Sequence, residues 1–240
     1  MITWDGVSSD SLGVVVEKAP EYVKPSRKVD VYSVPGRNGD IIKTQNAWNN
    51  TRQVYEITAG DGSEHAVPGA FSDVAAWLFG PEGYSRLEDS FDTTHFRIAH
   101  FDGPFEIDNI MTRAGRAVIT FDCRPQRFLK SGENSETIDE SPATMTNPTA
   151  FHARPLIKVT GIGSIGSVTV NGTVFTISNT NVPVFIDCES MDCYDAQGNN
   201  KNSIVSSSTS EFATLAPGEN SIGFSGGVSF VEITPRYWEL

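Results

Sequence analysis

Two short motifs in this sequence have the residue types and spacing of chemistry. Gly161-Ile162-Gly163-Ser164-Ile165-Gly166 satisfies GxGxxG and follows a strand-like run from Pro155 to Thr160. In a dinucleotide site such glycines admit the pyrophosphate, which rests on the N-terminus of the helix that comes next. Here the next residues, Val168 to Val174, alternate as a strand does, so the glycines read as a strand-to-strand bend. Gly223-Phe224-Ser225-Gly226-Gly227 fits GxSxG. A serine on that elbow needs an acid and then a histidine downstream. The last histidine, His152, lies upstream.

His65, His95, His100 and His152 are scattered without metal-ligand spacing. Cys188 and Cys193 sit among Asp187, Asp192 and Asp195, but no loop places ligands at alternate positions and closes on a glutamate. That stretch reads as a strand end followed by a polar turn over Asp195-Ala196-Gln197-Gly198-Asn199-Asn200. No catalytic residue, cofactor or metal is expected, so the chain is read as a non-enzyme. Asn49-Asn50-Thr51 matches a glycosylation acceptor, which carries no weight without a secretory leader. Three cysteines cannot all pair, and Cys123 is remote from the other two, so reduced, buried thiols are expected.

Aromatic side chains are the remaining binding candidates. Tyr194, Tyr237 and Trp238, with Trp4 near the other end, have the chemistry to stack on a sugar or a neighbouring subunit, although core packing is the commoner fate of such residues.

The elements that would position these groups are nearly all strands. Arg27 to Thr44 is the organising stretch: Val29, Val31 and Ser33 alternate with Lys28, Asp30 and Tyr32, the period of a half-buried strand. Val34-Pro35-Gly36-Arg37-Asn38-Gly39-Asp40 then turns the chain back into a strand at Ile41-Ile42. Gly13 to Lys18, Thr51 to Ala59, Phe105 to Ile107 and Arg116 to Phe121 supply further strands. Phe71, Val74, Trp77 and Leu78 fall on one helical stripe, stopped by Gly80-Pro81. The first half is therefore a β-domain with one covering helix. In the second half Asn171-Gly172 between alternating runs predicts a type I′ hairpin, and turn signals recur at sandwich spacing, as at Pro217-Gly218.

Charge divides the chain in the same place: 14 of 18 basic and 22 of 30 acidic residues precede position 141. Ser131 to Glu136, Ser141-Pro142 and Asn147-Pro148 have linker composition. The expected organisation is a domain at 1–135, a linker at 136–150 and an antiparallel β-sandwich at 151–240. A formal net charge of −12 argues against affinity for nucleic-acid phosphates. There is no apolar run of membrane-spanning length and no visible signal peptide, so no membrane insertion and synthesis in a cytosol are expected.

The order of these elements resembles the distal tail protein family of long-tailed, siphovirus-type phages. The resemblance spans almost the whole chain: the Val29–Gly39 hairpin, the Trp77-Leu78 helix, Gly83-Tyr84-Ser85-Arg86-Leu87, Phe121-Asp122-Cys123-Arg124-Pro125, the prolines at 148 and 155, Leu215 to Asn220, and Ile233 to Trp238. It implies an N-terminal belt domain related to tail-tube subunits, closing into a hexameric ring, and a galectin-like or carbohydrate-module-like C-terminal domain outside it. The implied partners are copies of itself, the tail-tube protein and the tail-tip hub or receptor-binding protein. The implied setting is the tail tip of a virion assembled in a bacterial host, with DNA passing through the bore. The expected interface residues are Val29, Val31, Val34, Pro35, Arg37 and Asn38, with Gly36 and Gly39 shaping the turn. Two other readings remain: a carbohydrate-binding protein contacting host glycans through Tyr194, Tyr237 and Trp238, and a hydrolase using paired carboxylates.

Overall fold

The computed structural model describes residues 1–60, 66–111 and 114–240, and of 66–68, 107–111 and 114 the backbone alone. His65 lies outside the described residues. The chain forms two compact units, one of residues 1–127 with Leu240 and the other of residues 128–239. Both are mainly β. The division falls earlier than the linker composition predicts.

The first unit runs through β1 (Ile2–Trp4), β2 (Val7–Ser8), β3 (Val14–Val16), β4 (Arg27–Tyr32), β5 (Ile41–Trp48), β6 (Thr51–Ala59), α1 (Ala66–Phe79), β7 (Ser85–Asp89), β8 (Asp92–Phe101), β9 (Ile107–Met111) and β10 (Ala114–Leu129), whose last two residues enter the second unit. An antiparallel sheet takes the order β2-β1-β7-β8-β10-β6-β3, with β9 beside the start of β10. Strand β6 shows why the sequence was readable: Gln53, Tyr55, Ile57 and Ala59 are buried, whereas Arg52 and Val54 face water. The stripe Phe71, Val74, Trp77 and Leu78 packs on that buried face with Ile2, Trp4, Ile119 and Phe121. The Trp77 indole N–H donates to the Trp4 carbonyl at 3.2 Å, fixing the helix on β1. Trp4 is a core residue, fully buried, and takes no part in a surface stack.

The second unit contains β11 (Glu136–Ile138), β12 (Ala143–Asn147), β13 (Leu156–Val170), β14 (Thr173–Ile177), β15 (Val184–Asp187), β16 (Asp192–Tyr194), β17 (Val205–Ser207), β18 (Gly218–Thr234) and β19 (Trp238–Glu239). The expected linker, 136–150, is instead two strands: β11 pairs with the end of β18 and β12 with its beginning. Its prolines lie outside those strands, so they resist a helix without preventing pairing.

Strands β13 and β18 form the spine, antiparallel from Leu156↔Thr234 to Val170↔Ile222. The register breaks at Thr160/Gly161 and between Gly161 and Gly166, so the GxGxxG glycines bend one long strand. Before the bend β13 pairs with β15; after it, with β14. The two sheet halves thus close over one core that holds Ile157, Val159 and Ile233 from one half and Val168, Phe175 and Ile222 from the other. A Cβ on Gly161 would lie 2.1 Å from the Gly227 carbonyl oxygen and 2.5 Å from the Thr180 hydroxyl. Glycine is therefore required by close approach of two backbones. Asn171 and Gly172, both at positive φ (48° and 85°), make the predicted two-residue hairpin.

Candidate functional site

The hairpin β4–β5 is a two-stranded sheet of its own. Its root is tied down. Pro20 is buried, the Gln53 amide donates to the Glu21 carbonyl at 3.1 Å, and the Tyr22 hydroxyl donates to Asp89 at 3.0 Å. At the neck, Asn49 donates from its backbone to the Ser26 carbonyl (2.9 Å) and from its side chain to the Ser26 hydroxyl (3.0 Å). The Arg27 guanidinium lies 4.3 Å from the centre of the Trp48 ring.

Beyond this neck nothing among the described residues covers the blade. The pairs Val29↔Thr44 and Val31↔Ile42 share one face, and Asp30↔Lys43 and Tyr32↔Ile41 the other. Val31 is 57% exposed and Ile42 65%. The alternation is real, but the half-buried face expected from it is exposed, because among the described residues no other strand pairs with or covers the hairpin. Val34, Pro35, Gly36, Arg37, Asn38 and Gly39 form the turn and are all exposed, with Gly36 and Gly39 at positive φ (80° and 82°). The structure thus gathers Val29 to Gly39 on one projecting element.

A polar well beneath the root explains how that element is held. One Asp89 carboxylate oxygen accepts from the Tyr22 hydroxyl and from the backbone of Phe91 and Asp92, and the other accepts from the Tyr55 hydroxyl at 3.0 Å. Burial, reinforced by the Asp89 charge, pushes both tyrosine hydroxyls up, so they remain protonated donors. Asp92 binds His95 Nδ1 (2.9 Å) and the Arg127 guanidinium (3.3 Å). Burial raises the Asp92 carboxyl, but these bonds outweigh it and its pKa is lowered. The space between the groups is about 10 Å³, enough for a single water. The Asp92 carboxyl held ionised and the tyrosine hydroxyls held protonated make a clamp; they supply no activated nucleophile. Tyr22 and Asp89 are 67 positions apart, and no sequence signal joined them.

In the second unit the serine of GxSxG lies inside β18, where the Ser225 hydroxyl is 2.9 Å from that of Ser167. The acidic stretch around the two cysteines is divided among separate partners. Asp195, 5% exposed, accepts from the backbone of Gln197 and Asn199 and the side chains of Asn199 and Lys201; the first of these side-chain bonds leads in lowering its pKa to about 2. No group of three or more potential metal ligands occurs among the described residues. Cys123, Cys188 and Cys193 are buried free thiols, pushed up by burial to about 12, 12 and 11.

The aromatics picked out for sugar stacking are occupied within the chain. Tyr237 is buried and donates to the Thr146 carbonyl at 2.9 Å. Trp238 stacks on Phe151 at 4.5 Å and Tyr194 on Phe185 at 5.6 Å.

Asp187 receives a two-pronged bond from Arg236, at 2.7 and 3.1 Å. Burial raises its carboxyl, but Arg236 and the Glu189 and Ser190 amides overcome this and leave it below the ordinary 3.8. A depressed folded-state pKa stabilises fully above 3.8, and that contribution is lost as pH falls through the lower folded value. The stability deficit of Arg236→Met relative to the parent therefore shrinks as pH is lowered below 3.8, measured by urea unfolding at stepped pH. A deficit that stays constant down to full protonation refutes the linkage.

A helix-backed antiparallel sheet with a projecting hairpin, followed by a sheet folded over its own core, is a fold also found in a phage adsorption-hub protein. In particular, the chain is similar to the Dit protein (gp 19.1) of phage SPP1, whose structure is described as a paradigm of the hub adsorption apparatus in phages infecting Gram-positive hosts. The TM-score is 0.76 at 11% identity, covering 100% of this chain and 98% of that one. The phage P2 baseplate in its activated conformation contains a similar chain, with TM-scores of 0.51 and 0.52 in the calcium and strontium forms. There the identity is 9%, covering 92% of this chain and 90% of the other. No family model and no curated protein matches the sequence. The resemblance to distal tail proteins thus holds in the fold. Among the described residues no helix is long and apolar enough to cross a membrane.

Proposed function

We propose that this chain is a structural subunit of a phage tail tip, and that six copies close side by side into a ring. The observation that carries the proposal is the β4–β5 hairpin, rooted by Tyr22–Asp89 and bare at Val29, Val31, Tyr32, Ile41 and Ile42. Exposed apolar strands held in fixed register need a cover, and heterologous packing around an axis supplies one for every copy by closure. The fold shared with a Dit protein supports this reading. In it, the first unit is the tail-tube-like belt that meets the tube protein. The second is a galectin-like body on the outside, near the receptor-binding proteins. The chain works by holding shape and performs no catalysis.

DNA would pass through the bore. Six copies carry −72 formal charges, six times the −12 of one chain. An acidic wall repels phosphates and lets a duplex slide. Retention of duplex DNA by the assembled protein at low salt would contradict this.

Light scattering on the purified chain is expected to give six times the monomer mass. Val31→Asp with Ile42→Asp leaves a folded monomer, because one aspartate on each strand places charge on the shared aliphatic face. A wild-type chain that stays monomeric at every concentration, or a double variant that still assembles, overturns the ring.

A further inference from the structure

We infer that Asn38, at the tip of the β4–β5 hairpin, is a self-modification site: the Gly39 backbone nitrogen displaces its side-chain amide, and water leaves a carboxylate in its place. The inference goes beyond the ring and does not rest on it.

The chain has two Asn-Gly steps, Asn38-Gly39 and Asn171-Gly172, and all four residues are exposed. A glycine leaves the backbone nitrogen after the asparagine unshielded, because it carries no side chain. That nitrogen, having given up its proton, attacks the asparagine Cγ. The new N–Cγ bond closes a five-membered imide, and the Cγ–Nδ2 bond breaks to release ammonia. Water then opens the imide. Breaking the N–Cγ bond gives an ordinary aspartate; breaking the bond from nitrogen to the main-chain carbonyl carbon gives isoaspartate, whose backbone is one carbon longer. The balance is amide plus water to acid plus ammonia, with no oxidant or reductant.

The nucleophile is alike at both steps. Gly39 and Gly172 have φ of 82° and 85°, and nothing lies within 4 Å of where a Cβ would be. The asparagines differ. Asn171 is bolted to the chain around it: its backbone N–H donates to the Ser221 carbonyl and its side-chain oxygen accepts from the Ser221 amide, both at 3.0 Å. Its side-chain nitrogen donates to the Thr214 carbonyl at 3.0 Å and to the Asn220 side-chain oxygen at 2.7 Å. Val170, just before it, pairs with Thr173 on one side and Ile222 on the other. Swinging its Cγ onto the Gly172 nitrogen breaks the three side-chain bonds.

Asn38 has none of this. The hairpin ladder ends at Tyr32↔Ile41, and in the loop beyond it the Arg37 amide donates to the Val34 carbonyl at 3.1 Å. Among the described residues neither the Asn38 side chain nor the Gly39 N–H has a hydrogen-bond partner. Every residue from 33 to 40 is exposed. Segments without packing or bonds change conformation at little cost, so Cγ and the nitrogen can meet. The loop holds one cation, Arg37, and one anion, Asp40. Conversion therefore gives it a net negative charge, and isoaspartate also lengthens it.

The test holds the whole chain at neutral and at mildly alkaline pH, with a parallel sample in guanidinium chloride. Timed samples are digested with pepsin in acid, and the peptides around Asn38 and Asn171 are weighed by mass spectrometry. In the folded chain Asn38 is expected to convert about a hundredfold faster than Asn171, which is held by three side-chain bonds worth about fivefold each. In denaturant the two rates converge. Conversion in heavy-oxygen water adds one heavy oxygen per site, and alkaline pH speeds it, because the attacking nitrogen must shed its proton. Asn38→Gln, which would need a larger ring to close, keeps its amide and shows no acidic species on isoelectric focusing. Val31→Asp with Ile42→Asp is expected to convert Asn38 as fast, so that access to the tip and ring assembly are read separately. The inference is overturned if Asn38 keeps its amide in that double variant, or if Asn171 converts as fast in the folded chain. It is also overturned if the rate ratio survives in denaturant, or if converted Asn38 lacks the label.

Discussion

Phe121→Ala is expected to lower the stability of the first unit by about 4 kcal/mol. Phe121 is fully buried on β10 between β6 and β8, and its ring lies 4.9 Å from Trp4, 5.8 Å from Phe101 and 6.2 Å from Tyr55. Truncation removes the shared centre of three aromatic contacts. The ladders on both sides hold the backbone in place, so the cavity cannot close. Since a domain's net stability is about 5–15 kcal/mol, the loss leaves the unit marginal and loosens Tyr55, whose hydroxyl helps fix Asp89 at the hairpin root. Val118→Ala, on the same strand but 51% exposed, is expected to change stability by no more than about 0.5 kcal/mol. Urea unfolding of both variants decides the matter; similar losses from the two would show that β10 does not divide core from solvent as described.

Gly161→Val is expected to abolish the native fold of the second unit. Its Cβ would overlap the Gly227 carbonyl at 2.1 Å and the hydroxyl of Thr180 at 2.5 Å. Thr180 is buried and cannot withdraw, because its hydroxyl accepts from the Gly163 amide and reaches the Ser164 and Gly227 carbonyls at 3.0 Å. Relief would require separating β13 from β18 at the bend, and with it the two sheet halves. Gly172→Ala makes the contrast: its φ is 85° but nothing lies within 4 Å of an added Cβ, so only the left-handed penalty of about 1–2 kcal/mol applies. Amide spectra of the two chains should show a collapsed second unit in the first and a native one in the second. A native spectrum from Gly161→Val would refute the close approach.

Those two glycines also mark the boundary of what a sequence discloses. Gly172 was readable, since Asn-Gly between alternating strands has one common use. Gly161 was readable only as a bend, because close approach depends on Gly227, a residue 66 positions away. Local period revealed β6 and the stripe of α1, where one side is buried and the other wet. It misled at β4, where alternation persists without a covering layer among the described residues. Composition misled at 136–150, because strands at the rim of a sheet tolerate the polar residues and nearby prolines that also make linkers. The clamp at Asp89 is assembled from distant segments, so it has no local signature.

The buried thiols bear on how such a protein ages. Cys123, Cys188 and Cys193 are sheltered from solvent and kept in the unreactive thiol form. Copies crowded together in air therefore have no route to covalent cross-links through them. Oxygen damage falls first on thioethers, and among those with described side chains Met1 and Met191 are about half exposed whereas Met145 is shielded. Neither exposed sulfur lies in the hairpin, so oxidation should roughen the surface elsewhere long before it reaches that element.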